Sequence, residues 1–273
     1  MPDDGGPLAA PSGIRLVALD IDDTLIPSRG TLAAEVIEAM RAVRAAGVEV
    51  VLASGRGVSG VVPVAVELEI DELWALCSNG AVTVRIANGV ATEHARVTFD
   101  PRGIVNAVRA LDERAPVAIE TSGIGFLVDG DPYEAQAPIV VGEIGEMPDA
   151  VAFLSVASGL VSAETFAGIT AGHPVHAVPY PHENWVTIDI VSERAGKGAA
   201  LAALAEAHGL APSQCAAMGD YLNDIPMLEW AGWAVAMGQA PDAVKAVADV
   251  VAPAAADHGA AAALRALAAS AQL

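Results

Sequence analysis

Short apolar runs alternate with stretches of helical periodicity in the first part of the chain. The apolar runs cover residues 14–19, 48–54 and 73–78. Between the first two, Val36, Met40 and Val43 recur at helical spacing, with Thr31 as the predicted N-cap and Gly47 as the predicted stop. Continuously apolar strands separated by helices predict a parallel sheet that is covered on both faces.

The pattern changes after Asn79 and changes back at Lys197. A hairpin is predicted around Asn88 and Gly89, because Asn-Gly between two apolar runs favours a tight turn. Shorter, more alternating runs follow and predict an open-faced α+β sheet. The predicted fold class is therefore α/β, with a Rossmann-like parallel-sheet core interrupted by an α+β insert. The predicted boundaries are a flexible tail over residues 1–13, a core over residues 14–83 and 187–273, and an insert over residues 84–186.

The composition excludes several classes of partner. The 273 residues carry a formal net charge of −20, which would repel nucleic acid and anionic membranes. No apolar stretch reaches membrane-spanning length, and the acidic N-terminal segment is not typical of a signal peptide, so we expect a cytoplasmic protein that is a monomer or homodimer. Cys77 and Cys215 are predicted to be buried thiols.

Four polar stretches follow predicted strands or begin predicted helices. They are DIDDT at residues 20–24, SGR at residues 54–56, Lys197 between two glycines, and GDYLND at residues 219–224. Open α/β sheets bind ligands at the carboxyl ends of their strands. Taken singly, each stretch has an ordinary structural explanation as a turn, a cap or a solvated side chain. Their order along one chain is the more specific signal.

In that order, the four stretches resemble the motifs of the haloacid-dehalogenase superfamily of phosphotransferases. The insert of about 100 residues between the second and third motifs, and SNGA at residues 78–81, resemble the Cof-type branch, subclass IIB. The resemblance involves nearly the whole chain. It implies a phosphatase core with a type C2B cap domain formed by the insert.

The resemblance also implies roles for individual residues. Asp20 is implied to be the nucleophile that forms an aspartyl-phosphate, and Asp22 the general acid and base. The implied Mg²⁺ ligands are Asp20, the backbone carbonyl of Asp22, and the carboxylates of Asp220 and Asp224, the last directly or through water. Lys197 is implied to be catalytic, whereas Asp23 is expected to be structural. The expected phosphate and substrate contacts are Ser54, Gly55, Arg56, Asn79 and Asn223.

The chemistry supports these roles independently. A carboxylate that attacks a phosphoryl group brings two anions together, so Mg²⁺ and Lys197 must offset charge. Ser54 offers a hydroxyl, and the N–H groups after it add donors without bulk. Asp22 distinguishes a phosphatase from a dehalogenase, because an alkoxide leaving group needs a proton and a halide does not.

Three functions are compatible with these motifs. We favour an Mg²⁺-dependent phosphatase that acts on small phosphomonoesters such as sugar phosphates. A phosphomutase or phosphotransferase would share the motifs, and a non-catalytic phospho-ligand binding or regulatory module would retain the fold. Two alternatives stay open for Tyr221, which either reaches the mouth of the site or only covers the metal. His182 and Glu183 are candidates for residues of the insert that face the substrate. His173, His176 and His182 are irregularly spaced and are not expected to bind zinc.

Overall fold

The computed structural model describes residues 8–28, 30–121, 125–129, 139–142, 144 and 146–271. Two sheets organise these residues. The larger has eight strands in the order β14-β13-β12-β1-β2-β3-β4-β5, and the smaller has six in the order β10-β11-β9-β6-β7-β8. Within the described residues, no helix is both long and apolar enough to cross a bilayer.

The larger sheet is parallel at its centre. Its strands are β1 (Leu16–Leu19), β2 (Glu49–Ala53), β3 (Glu72–Cys77), β4 (Val82–Ala87), β5 (Val90–Arg96), β12 (Cys215–Gly219), β13 (Trp233–Ala236) and β14 (Val250–Val251). β1 pairs in parallel with β2 and β12, and β2 pairs in parallel with β3, whereas β4 pairs antiparallel with both β3 and β5. β1 is fully buried, as expected for a strand covered on both faces.

Helices cover the two faces of this sheet. They are α1 (Ala34–Ala45), α2 (Val58–Glu67), α5 (Lys197–Ala207), α6 (Ile225–Trp230), α7 (Asp242–Lys245) and α8 (Gly259–Ser270). Along β1, Val17 and Leu19 pack in the cluster that includes α1, α2 and α8, while Leu16 and Ala18 pack in the cluster that includes α5 and α6. We call this sheet and these helices the core domain.

The smaller sheet carries two helices on one face. Its strands are β6 (Val117–Thr121), β7 (Gly125–Asp129), β8 (Ile139–Val141), β9 (Leu154–Ser158), β10 (Val175–Pro181) and β11 (Val186–Ser192), and its helices are α3 (Arg102–Arg109) and α4 (Ala163–Thr170). We call this unit the cap. Ile104 and Phe166 from its helices pack against Ile188 and Ile190 of β11 in a separate apolar cluster.

The chain passes from one sheet to the other at positions that differ from the predicted domain boundaries. The Asn88-Gly89 hairpin forms, with both residues at positive φ, but its strands β4 and β5 extend the core sheet rather than the insert. β11 belongs to the smaller sheet, not to the core. A tight turn specifies that two strands pair with each other and leaves their third neighbour open, which explains the difference. From the sheet to which each described strand belongs, we propose that the cap comprises residues 97–192, compared with the predicted 84–186.

The start of the first helix also differs from its prediction. α1 begins at Ala34, and its N-cap, Ala33, makes no side-chain capping bond, so Thr31 is not the cap. The predicted stop agrees with the structure, since Gly47 follows the helix with φ of 81°. In the cap, Ser162 does cap α4 by accepting a hydrogen bond from the N–H of Thr165 at 3.2 Å.

Candidate active site

Three carboxylates meet at the carboxyl end of the core sheet. Asp20 follows β1, and Asp220 and Asp224 follow the adjacent parallel strand β12, which places all three at one sheet edge. One carboxylate oxygen from each of them lies within 4.8 Å of the others, and all three residues are buried. The structure thus brings together three of the predicted site residues, although Asp20 lies 200 positions before Asp220 in the sequence.

Lys197 joins two of these carboxylates. It begins α5, and its Nζ donates to Oδ1 of Asp20 and to Oδ1 of Asp224, both at 2.6 Å. Burial alone lowers the pKa of this amine, but the two carboxylates outweigh burial and raise the pKa above its usual value. Lys197 is therefore a fixed positive charge beside Asp20.

Asp224 also shapes the loop that holds Asp220. Its second oxygen accepts hydrogen bonds from the backbone N–H groups of Asp220 at 2.9 Å and of Tyr221 at 3.0 Å. Both of its oxygens are thus engaged by protein donors. Asp224 as a metal ligand stays a prediction, and the geometry gives it a second task in orienting Asp220.

The acidic cluster holds more negative charge than its protein cation offsets. Burial raises the pKa of Asp20 well above its usual range, opposed by Lys197 and reinforced by Asp224 and Asp220. Burial, and then Asp224 and Asp23, raise the pKa of Asp220 to about 7. Carboxylate oxygens without thiol or imidazole partners are the donor set that a hard dication such as Mg²⁺ prefers. The residues present therefore fit the predicted metal.

Asp22 and Arg56 form a bidentate pair at the edge of this cluster. Nε of Arg56 donates to Oδ2 of Asp22 at 2.9 Å, and Nη2 donates to Oδ1 at 2.6 Å. The side chain of Asp22 is 41% exposed and that of Arg56 17% exposed, so the pair faces an open region. The guanidinium of Arg56 thus contacts Asp22, and the expected contact of Arg56 with phosphate stays a prediction. Asp23, expected to be structural, accepts the backbone N–H of Ser28 at 2.6 Å.

The remaining predicted contacts surround a strained turn after β3. Asn79 is buried at φ of 54°, its N–H donates to the carbonyl of Ser54 at 2.9 Å, and its Oδ1 accepts from Nδ2 of Asn223 at 2.7 Å. Ser54 is buried, and a Cβ on Gly55 would lie 3.4 Å from Oδ1 of Asn79. The turn thus links the second and fourth motifs.

The lack of a side chain at Gly80 allows this turn to approach the backbone of the third motif, at Gly196 and Lys197, closely. Gly80 has φ of 81°, and a Cβ there would lie 2.4 Å from the carbonyl oxygen of Gly196. A larger residue would push the turn away from the start of α5, where Lys197 lies. SNGA is thus a packing element of the site.

Tyr221 contacts the cap directly. Its ring stacks on Tyr180 of β10, with ring centroids 5.3 Å apart and planes at 18°, and its Oη donates to the carbonyl of Pro179 at 3.4 Å. Tyr180 was not among the predicted site residues. Its position in the alternating PVHAVPY run could have placed it on one sheet face, but not over the site.

The histidines of the insert lie outside the acidic cluster. His182 is exposed, with Nε2 3.3 Å from Oγ1 of Thr187 and its ring 4.9 Å from that of Trp185. Across the described residues, the grouping with metal-ligand spacing is Asp20, Asp220 and Asp224, and it contains no histidine. The expectation that His182 and Glu183 contact the substrate remains a prediction.

Known proteins are similar to this chain in both sequence and architecture. The sequence family described as haloacid dehalogenase-like hydrolase matches residues 17–120 and 170–264. The pyridoxal phosphate phosphatase YbhA of Escherichia coli K12 is 30% identical over 264 residues, which cover 87% of this chain and 92% of that protein. The putative phosphatase YxeH of Bacillus subtilis 168 is 26% identical, covering 85% of this chain and 90% of that protein.

Solved structures share the fold. A haloacid dehalogenase-like hydrolase from Bacillus subtilis superposes with a TM-score of 0.76 at 24% identity, covering 92% of this chain and 99% of that one. The subclass IIB sugar phosphatase BT4131 superposes with a TM-score of 0.74 at 21% identity, covering 92% and 98%. The α/β core with an α+β cap, predicted from the pattern of apolar runs and implied by the family resemblance, is confirmed.

These similarities agree with the grouping of Asp20, Lys197, Asp220 and Asp224 at one sheet edge. The chain belongs to the haloacid dehalogenase-like hydrolase family and is a phosphatase with the subclass IIB, Cof-type fold.

Proposed function

We propose that the protein is an Mg²⁺-dependent phosphomonoester hydrolase that acts on small phosphorylated metabolites through an aspartyl-phosphate on Asp20. The observation that carries this proposal is the contact of Lys197 Nζ with Asp20 Oδ1 at 2.6 Å, beside the carboxylates of Asp220 and Asp224. A buried carboxylate with a fixed cation next to it is placed to attack a phosphoryl group, whose charge the same cation stabilises.

Asp20, the carbonyl of Asp22 and the carboxylate of Asp220 are the residues that would hold Mg²⁺, with Asp224 in support. When bound, Mg²⁺ supplies charge neutralisation for the phosphoryl group. Lys197 already uses two of its three N–H groups on Asp20 and Asp224, which leaves one for a phosphoryl oxygen. Ser54, Gly55, Asn79 and Asn223 are proposed as further donors to that group.

Asp22 is proposed to move the protons. It gives a proton to the oxygen of the leaving group as the bond to phosphorus breaks, and it later takes one from the water that attacks the aspartyl-phosphate. Two steps with a covalent intermediate replace one difficult displacement. The partial exposure of Asp22 supports this role, because a leaving group and a water can both reach its carboxyl group. The two donors from Arg56 fix the plane of that group.

The substrate class follows from the cap and from the relatives. The core residues contact only the phosphoryl group, which all phosphomonoesters share, so we propose that the cap provides selectivity among leaving groups. Sugar phosphates are the class we favour, in line with the fold of BT4131. Pyridoxal phosphate belongs in the same screen, because YbhA is named for that activity.

A phosphomutase would use the same residues and retain the phosphoryl group. The two functions differ in net release of inorganic phosphate. The experiment is a screen of sugar phosphates, pyridoxal phosphate and p-nitrophenyl phosphate with Mg²⁺ or with EDTA, with released phosphate as the readout. We expect release that requires Mg²⁺. Isomerised product without released phosphate would instead identify a mutase, and binding without either product would identify a non-catalytic module.

A further inference from the structure

One acidic residue of the cap has no part in the chemistry described so far. Asp189 lies in the middle of β11 and is partly buried. Oγ of Ser155, on the neighbouring strand β9, donates to its Oδ1 at 2.8 Å. Within the described residues, this hydroxyl is the one side-chain donor to Asp189. Its second oxygen is therefore available to another hydrogen-bond donor.

Alternation along β11 gives the direction of Asp189. Val186, Ile188 and Ile190 pack with the cap helices in the apolar cluster of the cap. Val191, on the opposite face, packs in the cluster of the core domain. Successive side chains of a strand point to opposite faces, so Asp189 shares the face of Val191 and is directed towards the core domain.

Neighbouring strands extend this face over the acidic cluster. Asp189 is paired with Ser155 of β9 on one side and with Val178 of β10 on the other, and Tyr180 is the next residue of β10 on the same face. Tyr180 stacks on Tyr221, which directly follows Asp220. The row from Asp189 to Tyr180 therefore connects the cap sheet with the metal-binding loop.

The electrostatic surroundings of Tyr180 agree with that position. Burial raises the pKa of its phenol well above the usual range, and the carboxylates of Asp189, Asp224 and Asp20 raise it further. Tyr180 is thus within electrostatic reach of the cap carboxyl group and of two acids of the catalytic cluster. A leaving group that extends from a phosphoryl group at Asp20 towards the cap would meet Tyr180 and Asp189.

We propose that Asp189, held by Ser155 and flanked by Tyr180, is a specificity subsite for the leaving group of the substrate. It binds leaving groups that carry a hydrogen-bond donor, a hydroxyl or a protonated nitrogen, and it disfavours leaving groups that end in a carboxylate. This inference rests on the proposed phosphatase function and names the part of the substrate that the cap selects.

The chemistry of the subsite supports this selectivity. Burial raises the pKa of Asp189 to about 7, and the Ser155 bond offsets only part of that effect. A donor from the substrate favours the ionised carboxylate and offsets more of the burial. A second carboxylate at this place would add repulsion to a site that already contains Asp20, Asp22, Asp220 and Asp224.

A matched pair of substrates tests the proposal. Sorbitol 6-phosphate and 6-phosphogluconate differ only at the terminal carbon, which is a primary alcohol in the first and a carboxylate in the second. We expect the wild-type protein with Mg²⁺ to prefer sorbitol 6-phosphate in kcat/KM by on the order of tenfold or more, the scale of a hydrogen bond to a charged group. In Asp189→Asn, this preference should shrink by about tenfold, with 6-phosphogluconate turned over better than by the wild type.

Two controls separate this subsite from general damage and from failure of the phosphatase function. Asp112→Asn alters another cap carboxylate that a serine side chain contacts, since Oγ of Ser158 donates to Oδ2 of Asp112 at 2.7 Å. Asp112 lies three residues after the end of α3, outside the strand that carries Asp189. That variant should keep the wild-type preference. Turnover of p-nitrophenyl phosphate, which has no donor on its ring, should change less than about threefold in either variant.

The outcomes are distinct. Wild-type turnover of p-nitrophenyl phosphate with an unchanged sorbitol-to-gluconate ratio in Asp189→Asn would overturn the subsite and leave the phosphatase function standing. An equal loss on all three substrates would likewise overturn it, because a structural role predicts that result. Asparagine is nearly isosteric and removes a partly buried charge, so the variant should fold, and its thermal unfolding verifies this.

Discussion

Arg56 holds both oxygens of Asp22, through Nε at 2.9 Å and Nη2 at 2.6 Å. A guanidinium fork fixes the plane of a carboxylate as well as its position, and a lysine cannot reproduce that geometry. Since Asp22 is the proposed proton donor and acceptor, we propose that Arg56 is a positioning residue for proton transfer. The contact with phosphate that the sequence predicted for Arg56 stays a second prediction.

Arg56→Lys separates these two roles. If Arg56 positions Asp22, kcat should fall by about tenfold for an alkyl phosphate and by less for p-nitrophenyl phosphate, whose leaving group needs little protonation. Steady-state kinetics on both substrates provide the measurement, with Arg41→Lys as a control because Arg41 pairs with Glu69 on an exposed surface. A rise in KM of equal size for both substrates would favour the phosphate contact instead.

The metal should stabilise the fold as well as support turnover. Asp20 and Asp220 are crowded acids whose pKa values are raised by burial, so a dication relieves repulsion in the folded state. Mg²⁺ at about 100 times its Kd should add about 2.7 kcal/mol to the free energy of unfolding. Thermal unfolding with Mg²⁺ and with EDTA measures this, and Asp220→Asn should abolish the difference.

Ca²⁺ should bind without supporting turnover, because its looser shell misaligns the attack. Full activity with Ca²⁺ in place of Mg²⁺ would refute this.

Asp189 should make stability depend on pH in a defined window. Burial raises its pKa from 3.8 to about 7. Below about pH 4 the carboxyl group of Asp189 is protonated in both the folded and the unfolded state, so it does not change the free energy of unfolding. Between about pH 4 and 7 the unfolded state releases its proton first, so the free energy of unfolding falls as pH rises and then levels off.

Asp189→Asn should therefore be more stable than the wild type at pH 8, by about 1–3 kcal/mol after allowance for partial solvent screening. At pH 4 the two proteins should be equal. Urea unfolding of both proteins in EDTA at the two pH values is the measurement. A stability difference that does not change between pH 4 and pH 8 would exclude titration of Asp189 as its cause.

The elements of the core were predictable because their signals are local. Uniformly apolar runs identified β1, β2 and β3, and the polar residues after them had to meet at one edge of a parallel sheet. Asp20, Lys197 and Asp220 followed from that rule together with the order of the motifs.

The features of the fold and of the site that were not predicted depend on contacts between distant parts of the chain. The same hairpin signal is compatible with either sheet, so it could not show that β4 and β5 extend the core sheet. Likewise, the pairing of Arg56 with Asp22, and the stacking of Tyr180 on Tyr221, depend on how the cap and the motif loops lie against each other. No local pattern contains that information.

Glu120 connects the cap to the core domain. It lies on β6, and its carboxylate accepts the hydroxyl of Ser78 at 2.6 Å and the backbone N–H of Val58, at the start of α2, at 3.3 Å. Glu120→Ala should lower the free energy of unfolding by about 1–3 kcal/mol, because it leaves these donors without their acceptor. It should also lower kcat/KM for sugar phosphates more than for p-nitrophenyl phosphate, since a loosened cap orders the leaving group less well.

Glu113→Ala is the matched control for this variant, because Glu113 is an exposed cap residue. Urea unfolding and steady-state kinetics on both substrates compare the two variants. Loss of stability without any change in the ratio of the two substrates would mean that Glu120 only holds the fold together.

The covalent step on Asp20 is the central claim, and trapping it is the most direct test. Asp22→Asn should slow hydrolysis of the aspartyl-phosphate, so acid quenching after mixing with a ³²P-labelled acetyl phosphate or sugar phosphate should leave label on the protein. Digestion should locate that label on the peptide that contains Asp20, and Asp20→Asn should carry none and lose at least about 10³-fold in kcat. Release of phosphate by Asp22→Asn without any labelled protein in a single turnover, or label on another residue, would contradict the account.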